Sequence, residues 1–283
     1  HAPGRLTQPL IRKDNRLQPA SWDEALSAAV EKLTAVKVEH GPQSIGLLGS
    51  SKCSNEENYL FQKLARVGLG TSNIDNGGYV FGQTAMEYFE GLSQGTCRSL
   101  PLQQLESSEL IFVIGADPAQ SVPVVNYALK RAKENGAFLI VANCRPTELD
   151  WFASRQLTLS STNGLDHLFP RLINTLAALF LERHPADEGS PAGSFPGFEQ
   201  YRQGLARIDP GKQSHVMGLD LNDLQHVADL LSGNKACFVV GQDVLQQKHS
   251  GPSLDALFNL SLITKGSDTD SNNLLLLARE NNQ

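Results

Sequence analysis

No cysteine in this chain has a second one nearby. Cys53, Cys97, Cys144 and Cys237 are widely separated and no C-x-x-C pair occurs. A local zinc or iron–sulfur site needs closely spaced thiolates, so this spacing does not encode one. Buried free thiols in a reducing compartment account for all four, the alternative being a cluster gathered from distant cysteines. Clustered positive charge is equally scarce. Lysine and arginine number 24 against 30 aspartates and glutamates, a formal net charge of -6. The densest basic run, Lys130-Arg131-Ala132-Lys133, reads as the solvated face of a helix. Phosphate neutralisation needs more than that, and a nucleic-acid partner is not expected. Long apolar runs are missing too: Leu176 to Leu181 and Leu274 to Ala278 fall far short of the ~20 residues a membrane span needs. No basic stretch followed by an apolar core stands near His1, so no export signal is expected, and any membrane association is expected to come through partners.

What is present is an ordinary globular composition, 40% hydrophobic over 283 residues, enough for one large or two medium α/β domains. Ser21-Trp22-Asp23-Glu24 is a capping box, followed by Leu26, Ala29, Val30, Leu33 and Val36 on one face, with Gly41-Pro42 as the stop. A short apolar strand, Ser44 to Leu48, then ends at Gly49-Ser50-Ser51. A second box, Ser54-Asn55-Glu56-Glu57, opens a helix expected to bury Leu60, Phe61, Leu64 and Val67. Its acids either complement the helix dipole or serve as ligand groups, and both readings stay open.

From Glu109 a βαβ unit is legible: strand Leu110 to Ile114, loop Gly115-Ala116-Asp117-Pro118-Ala119-Gln120, helix Val122 to Asn135, strand Ala137 to Ala142. Such strands lie parallel, with Val124, Val125, Ala128, Leu129 and Ala132 expected on the core face and Asn135-Gly136 as the cap. A helix is predicted over about 165–183, with Pro170 in its tolerant first turn. An exposed loop is predicted over 184–197, followed by helices around 198–208 and 221–231, the latter capped by Asp220. A buried strand Ala236 to Val240, ending in Gly241-Gln242-Asp243, and a helix from Ser253 to about Thr264 complete the pattern. In an open parallel sheet the ligand lies beyond the strands' C-terminal ends, which directs attention to 115–120 and 143–147.

The order and spacing of several segments resemble the molybdopterin oxidoreductases: Arg5-Leu6-Thr7-Gln8-Pro9-Leu10, Trp22-Asp23-Glu24-Ala25-Leu26, GSSKCSNEENYLFQKLAR from Gly49, Ile114-Gly115-Ala116-Asp117-Pro118-Ala119, and Arg279-Glu280-Asn281-Asn282-Gln283. The resemblance implies an α/β fold: a doubly wound parallel-sheet domain at 76–283 plus half of a discontinuous α/β domain at 1–75, with the last residues returning to the first lobe. It also implies a molybdopterin guanine dinucleotide cleft lined by Gly49, Ser50, Lys52, Gly115, Asp117, Gln120, Asn143, Arg145, Gly241, Gln246 and Arg279. In the catalytic branch the residues after the equivalent of Asn73-Ile74-Asp75 read H-C-A-R-x-C-H, whose second Cys or selenocysteine holds molybdenum. This chain has Asn76-Gly77-Gly78-Tyr79-Val80-Phe81-Gly82 instead, and the Phe81 ring cannot coordinate a metal.

Other family positions also differ. Gln120 replaces the Glu of G-x-x-P-x-E-x-x-P, and D-P-R-R-T reads Asn143-Cys144-Arg145-Pro146-Thr147. P-G-T-D reads Ser161-Thr162-Asn163-Gly164, and Asp243 stands at the second Gly of G-x-G-x-x-Q. These departures lead to the expectation of no catalytic residue, no metal site and no molybdopterin guanine dinucleotide in this chain. The implied function is a scaffold portion of the large subunit of an NADH:quinone oxidoreductase, respiratory complex I. Its iron–sulfur clusters would lie in a preceding part of the polypeptide. Its partners would be other domains of the same subunit and neighbouring hydrophilic subunits, on the cytoplasmic side of the inner membrane. The alternative is part of a formate dehydrogenase-like enzyme that still binds the cofactor, for which Cys53 is the nearest candidate thiolate. A stand-alone nucleotide-binding module is a third reading, weakened by the absence of G-x-G-x-x-G after the first βαβ strand.

Overall fold

A computed structural model describes residues 4–50, 53–76, 87–88, 91, 100–160, 167–184, 197–233, 236–247, 250–264 and 273–277. The chain divides into two compact units, one within residues 1–78 and the other within 79–279. The expected return of the closing residues to the first lobe falls outside the described residues, as does most of the 184–197 loop.

The first unit opens with an antiparallel hairpin, β1 (Leu10–Lys13) and β2 (Arg16–Pro19). Asp14 and Asn15 turn it at φ 49° and 61°, a left-handed pair that these two residue types tolerate. Helix α1 (Trp22–His40) carries the capping box: Glu24 N–H donates to Ser21 Oγ, and Glu24 Oε2 accepts from the Ser21 amide. Gly41 stops it at φ 81°. A 3-10 turn (Pro42–Ser44) leads to β3 (Leu47–Leu48), which lies parallel to β4 (Ile74–Asp75). Between them α2 (Asn55–Lys63) has its own capping box from Ser54 and Glu57, and runs into a π-helical turn, Leu64–Leu69.

That π turn corrects the predicted helix face. Ala65 and Leu69 are buried and Phe61 packs against them, whereas Leu60, Leu64 and Val67 are exposed. Bonds spanning five residues widen the turn and bring residues four apart into line, so 61, 65 and 69 share the buried side. The apolar side of α1 is likewise not a core face here: no α1 residue is buried, and Leu26 and Val30 are more than half exposed.

The second unit is a five-stranded, wholly parallel sheet in the order β7-β6-β5-β8-β9, with β5 Leu110–Ile114, β6 Phe138–Asn143, β7 Arg155–Thr158, β8 Ala236–Val240 and β9 Leu274–Leu276. Leu110 pairs with Phe138 and Ile114 with Ala142 on one side; the same residues pair with Ala236 and Val240 on the other. Both faces are covered, which is why these strands read as unbroken apolar runs. Leu110, Phe112, Ile114, Ile140 and Phe238 face a core shared with α6 (Leu168–Arg183), α9 (Leu221–Gly233) and α11 (Gly251–Thr264). Ile111, Val113, Leu139, Val141 and Val239 face α5 (Pro123–Glu134) and α3 (Leu102–Glu106). Val125, Ala128, Leu129 and Ala132 of α5 are buried as expected, but Val124 is 58% exposed and belongs to the solvent side.

The remaining helices are short. They are α4 (Pro118–Ser121), α7 (Phe198–Leu205), α8 (Pro210–Met217), capped by Asp209, and α10 (Gln242–Leu245). Asp220 caps α9, its Oδ1 accepting from the Asn222 amide at 2.9 Å. Among the described residues no helix is long and apolar enough to cross a membrane.

Where β5 and β8 meet, the chain leaves no room for a side chain. A Cβ on Gly241 would overlap Ala116 and the Gly115 carbonyl oxygen. Gly241→Ala is expected to cost about 2 kcal/mol or more, because backbone rather than a movable side chain must yield. Gly204→Ala in α7 meets open space and is expected to stabilise by up to ~1 kcal/mol. Denaturant unfolding of the two variants checks the contrast, and equal effects would contradict it.

Candidate functional site

The sheet order places the reversal of winding between β5 and β8, since β6 and β7 extend one side and β9 the other. In such sheets the crevice at the reversal, outside the C-terminal strand ends, is the ligand site. Three loops meet there. Gly115, at φ 58°, donates its N–H to Ala142 O at 2.9 Å and accepts from the Asp243 amide at 3.0 Å, while Gly241 N–H donates to Ile114 O at 2.9 Å. A Cβ on Gly115 would come within 2.7 Å of Val244 Cγ2. The left-handed turn and the close approach both require glycine.

This splice aims Asp117 inward. Its side chain is 4% exposed, and neither carboxylate oxygen has a partner with full hydrogen-bond geometry, although the Glu148 and Ala119 amides lie close enough to favour the charged form. Arg145 Nη1 stands 4.0 Å away, near enough for Coulombic attraction but not for a hydrogen bond. Burial lifts the Asp117 carboxyl above the usual carboxylate range, outweighing the opposing pull of Arg145 and of the Glu148 and Ala119 amides; the negative charge of Glu148 adds to the rise. Arg145, half exposed, also lies 3.3 Å from Asp243 Oδ2. One guanidinium thus stands between two carboxylates. Gln242 adds a buried amide nitrogen, Nε2, without a partner.

The other expected cleft residues fare differently. Asn143 is 3% exposed and occupied within its own loop: Oδ1 accepts from the Cys144 amide at 2.7 Å and Nδ2 donates to Ala116 O at 3.5 Å. It shapes the loop, with one of the two lone pairs of Oδ1 committed to the Cys144 amide. Gln120 and Gln246 are exposed at the rim. Burial and the nearby Asp243 raise the Cys144 thiol pKa, which disfavours a thiolate there. Lys52, Phe81 and Arg279 lie outside the described residues, as does the 161–164 turn. Gly49 and Ser50 belong to the first unit, where Gly49 lines a cavity of about 370 Å³ with Asn55, Asn58, Gln62, Asp75 and Asn76 at the C-terminal ends of β3 and β4. A comparable cavity in the second unit, about 380 Å³, is lined by Ala178, Leu181, Glu182, Arg202, Leu205 and Ile208, none of them from the three loops and none with a buried unpartnered polar atom. Among the described residues no group of acids, histidines and cysteines could hold a metal ion.

Sequence reasoning missed Gln242 as an unpartnered donor and Asp243 as the ion-pair partner of Arg145, reading Asp243 as a lost glycine that brings a negative charge towards phosphates. The position of Gln242 and Asp243 directly after Gly241, at the end of a buried strand, is the available signal.

The folded-state pKa of Asp117 is raised, so its ionised form weakens the fold. That penalty is absent below the unfolded-state pKa and grows as pH rises through the folded-state value. Asp117→Asn is therefore expected to stabilise the protein by about 1 kcal/mol at neutral pH and to change little in acid. Thermal melts across pH check this; a lower Tm for the variant at neutral pH would contradict it.

Comparison with known proteins agrees with the geometry. The family model described as molybdopterin oxidoreductase matches residues 5–283. Formate dehydrogenase H of Escherichia coli (strain K12) is 30% identical, over 92% of this chain and 36% of its own length. The probable oxidoreductase YjgC of Bacillus subtilis (strain 168) is 32% identical over 92% of this chain and 26% of its own. The F420-dependent formate dehydrogenase subunit alpha of Methanocaldococcus jannaschii is 26% identical over 100% of this chain and 41% of its own. Acetylene hydratase from Pelobacter acetylenicus shares the fold at a TM-score of 0.59 and 20% identity, over 92% of this chain and 34% of that one. The chain spans well under half the length of these curated relatives. It belongs to the molybdopterin oxidoreductase family.

Proposed function

We propose that the chain is part of a formate dehydrogenase-like molybdopterin oxidoreductase, and that the crevice at β5, β6 and β8 holds the guanine end of a molybdopterin guanine dinucleotide. The observation that carries this reading is Asp117, a buried carboxylate with two unpartnered oxygens at the switch point of a parallel sheet. Leaving such a group unsatisfied costs on the order of 1–3 kcal/mol, and sites that sacrifice stability in this way are characteristic of ligand binding. A guanine edge offers two adjacent N–H donors, and one carboxylate accepts both. The residues present therefore fit the nucleotide end of the group. Asp117 would hold the base, Gln242 Nε2 would donate to an acceptor on the ligand, and Gln120 and Gln246 would stand at the rim. When bound, the group supplies the redox centre; the residues of this chain bind it, orient it and shield its base from water.

The replaced positions weigh less than the sequence alone suggests. Asn143 has lost its carboxylate, but Asp117 presents one in the same crevice. Phe81 remains an apolar residue at the family's ligand position, so the reading assigns this chain nucleotide binding and not metal ligation. Phe81 is also what favours the second reading, a scaffold portion of an NADH:quinone oxidoreductase large subunit. The similarity to formate dehydrogenases favours the first. The exposed apolar side chains of α1 and α2 support packing of further polypeptide, from the same subunit or a neighbour, against the first unit.

Calorimetric titration with guanosine and adenosine tests the site. Adenine presents an acceptor where guanine presents its ring N–H, so guanosine is expected to bind at least ~10-fold tighter, and Asp117→Ala to abolish the preference. Binding also requires the ionised carboxylate, so it should weaken as pH falls through the raised Asp117 pKa. Equal affinity for the two nucleosides would overturn the reading.

A further inference from the structure

We propose that Asp243 restrains Arg145, so that the crevice accepts a guanosine whose 5′ phosphate is esterified and discriminates against free guanine nucleotides with a dianionic terminal phosphate. This deepens the nucleotide reading above and rests on it. Arg145 is the sole cation in the three loops 115–120, 143–147 and 241–246, and Asp117 and Asp243 are their two acids. With Arg145 Nη2 at 3.3 Å from Asp243 Oδ2 and Nη1 at 4.0 Å from Asp117 Oδ2, the guanidinium lies between two carboxylates by charge attraction, neither contact having hydrogen-bond geometry. With Asp117 ionised, the three groups together carry a net negative charge. A phosphate entering this crevice meets a cation already neutralised and a second carboxylate behind it.

The position of Asp243 makes the restraint persistent. Its amide is pinned to Gly115 O at 3.0 Å, and Gly241 cannot shift because Ala116 and Gly115 fill the space beside it. Its side chain is about one-third exposed, so the pair sits where water screening is incomplete. The base is selected by Asp117 through hydrogen bonds that Arg145 does not occupy, although the two groups still attract each other by charge. Base recognition and phosphate discrimination are thus divided between two aspartates that share one arginine. In a dinucleotide each bridging phosphate carries a single charge, whereas free GMP ends in a dianion, and the repulsion rises with that charge.

The experiment is titration of the 283-residue chain with guanosine and with GMP at low salt, for wild type, Asp243→Asn, Asp243→Ser and Asp243→Asn combined with Arg145→Gln, each checked for a cooperative melt. Wild type is expected to bind GMP no tighter than guanosine. Both single variants should prefer GMP by roughly tenfold as the guanidinium is released to a phosphate. The preference should shrink at about 0.5 M salt and disappear in the double variant. A wild type that already prefers GMP tenfold, or single variants with an unchanged GMP-to-guanosine ratio, would overturn the restraint while leaving guanosine recognition standing. Failure of every form to bind guanosine would overturn the nucleotide reading, and this proposal with it.

Discussion

The second unit depends on a direct backbone splice between two strands. Gly241 N–H reaches Ile114 O and Asp243 N–H reaches Gly115 O, so the loop after β8 rests on the loop after β5 with no side chain between them. The sheet's winding reverses at that contact, and Asp117, Gln242 and Asp243 are positioned by it. Glycine at 241 allows the approach, and glycine at 115 allows the left-handed turn that follows β5. The turn then drives Asp117 into the interior while the next strand delivers Arg145 to the mouth.

The site is held at a cost in stability. A buried carboxylate without hydrogen bonds and an arginine shared by two acids are poor choices for a structural core, where apolar packing would serve better. The same sheet shows what the sequence does when only stability is at stake: Phe112, Ile140 and Phe238 fill one face and Val113, Val141 and Val239 the other, all at or near full burial. The contrast between these strands and the loops at their ends separates scaffold from site within a few residues.

Much of this was legible in the sequence, for physical reasons that also explain the failures. Both capping boxes, the βαβ unit and strand 236–240 carry local signals, reciprocal caps and unbroken apolar runs, that tertiary context did not override. Strands β7 and β9 were missed because Arg155-Gln156-Leu157-Thr158 is too polar and Leu274-Leu275-Leu276 too short to distinguish a strand from a helix segment. The buried side of α2 was misjudged because a π turn leaves no mark in a 3.6-residue pattern. Within the site, the strand ends point to segments 115–120 and 143–147, and the family resemblance to Asp117, Asn143 and Arg145 within them, yet neither gives their contacts. Whether an aspartate lacks a partner, or an asparagine spends its oxygen on its own loop, follows from distances that no spacing in the chain encodes.

The central claim is that the crevice around Asp117 is a guanine-nucleoside site. The most direct measurement is a crystal structure of the chain grown with guanosine. The account predicts density for the base with its N–H edge within hydrogen-bonding distance of both Asp117 carboxylate oxygens. Guanosine seated elsewhere with Asp117 still unpartnered, for example in the Gly49 cavity of the first unit, would contradict it.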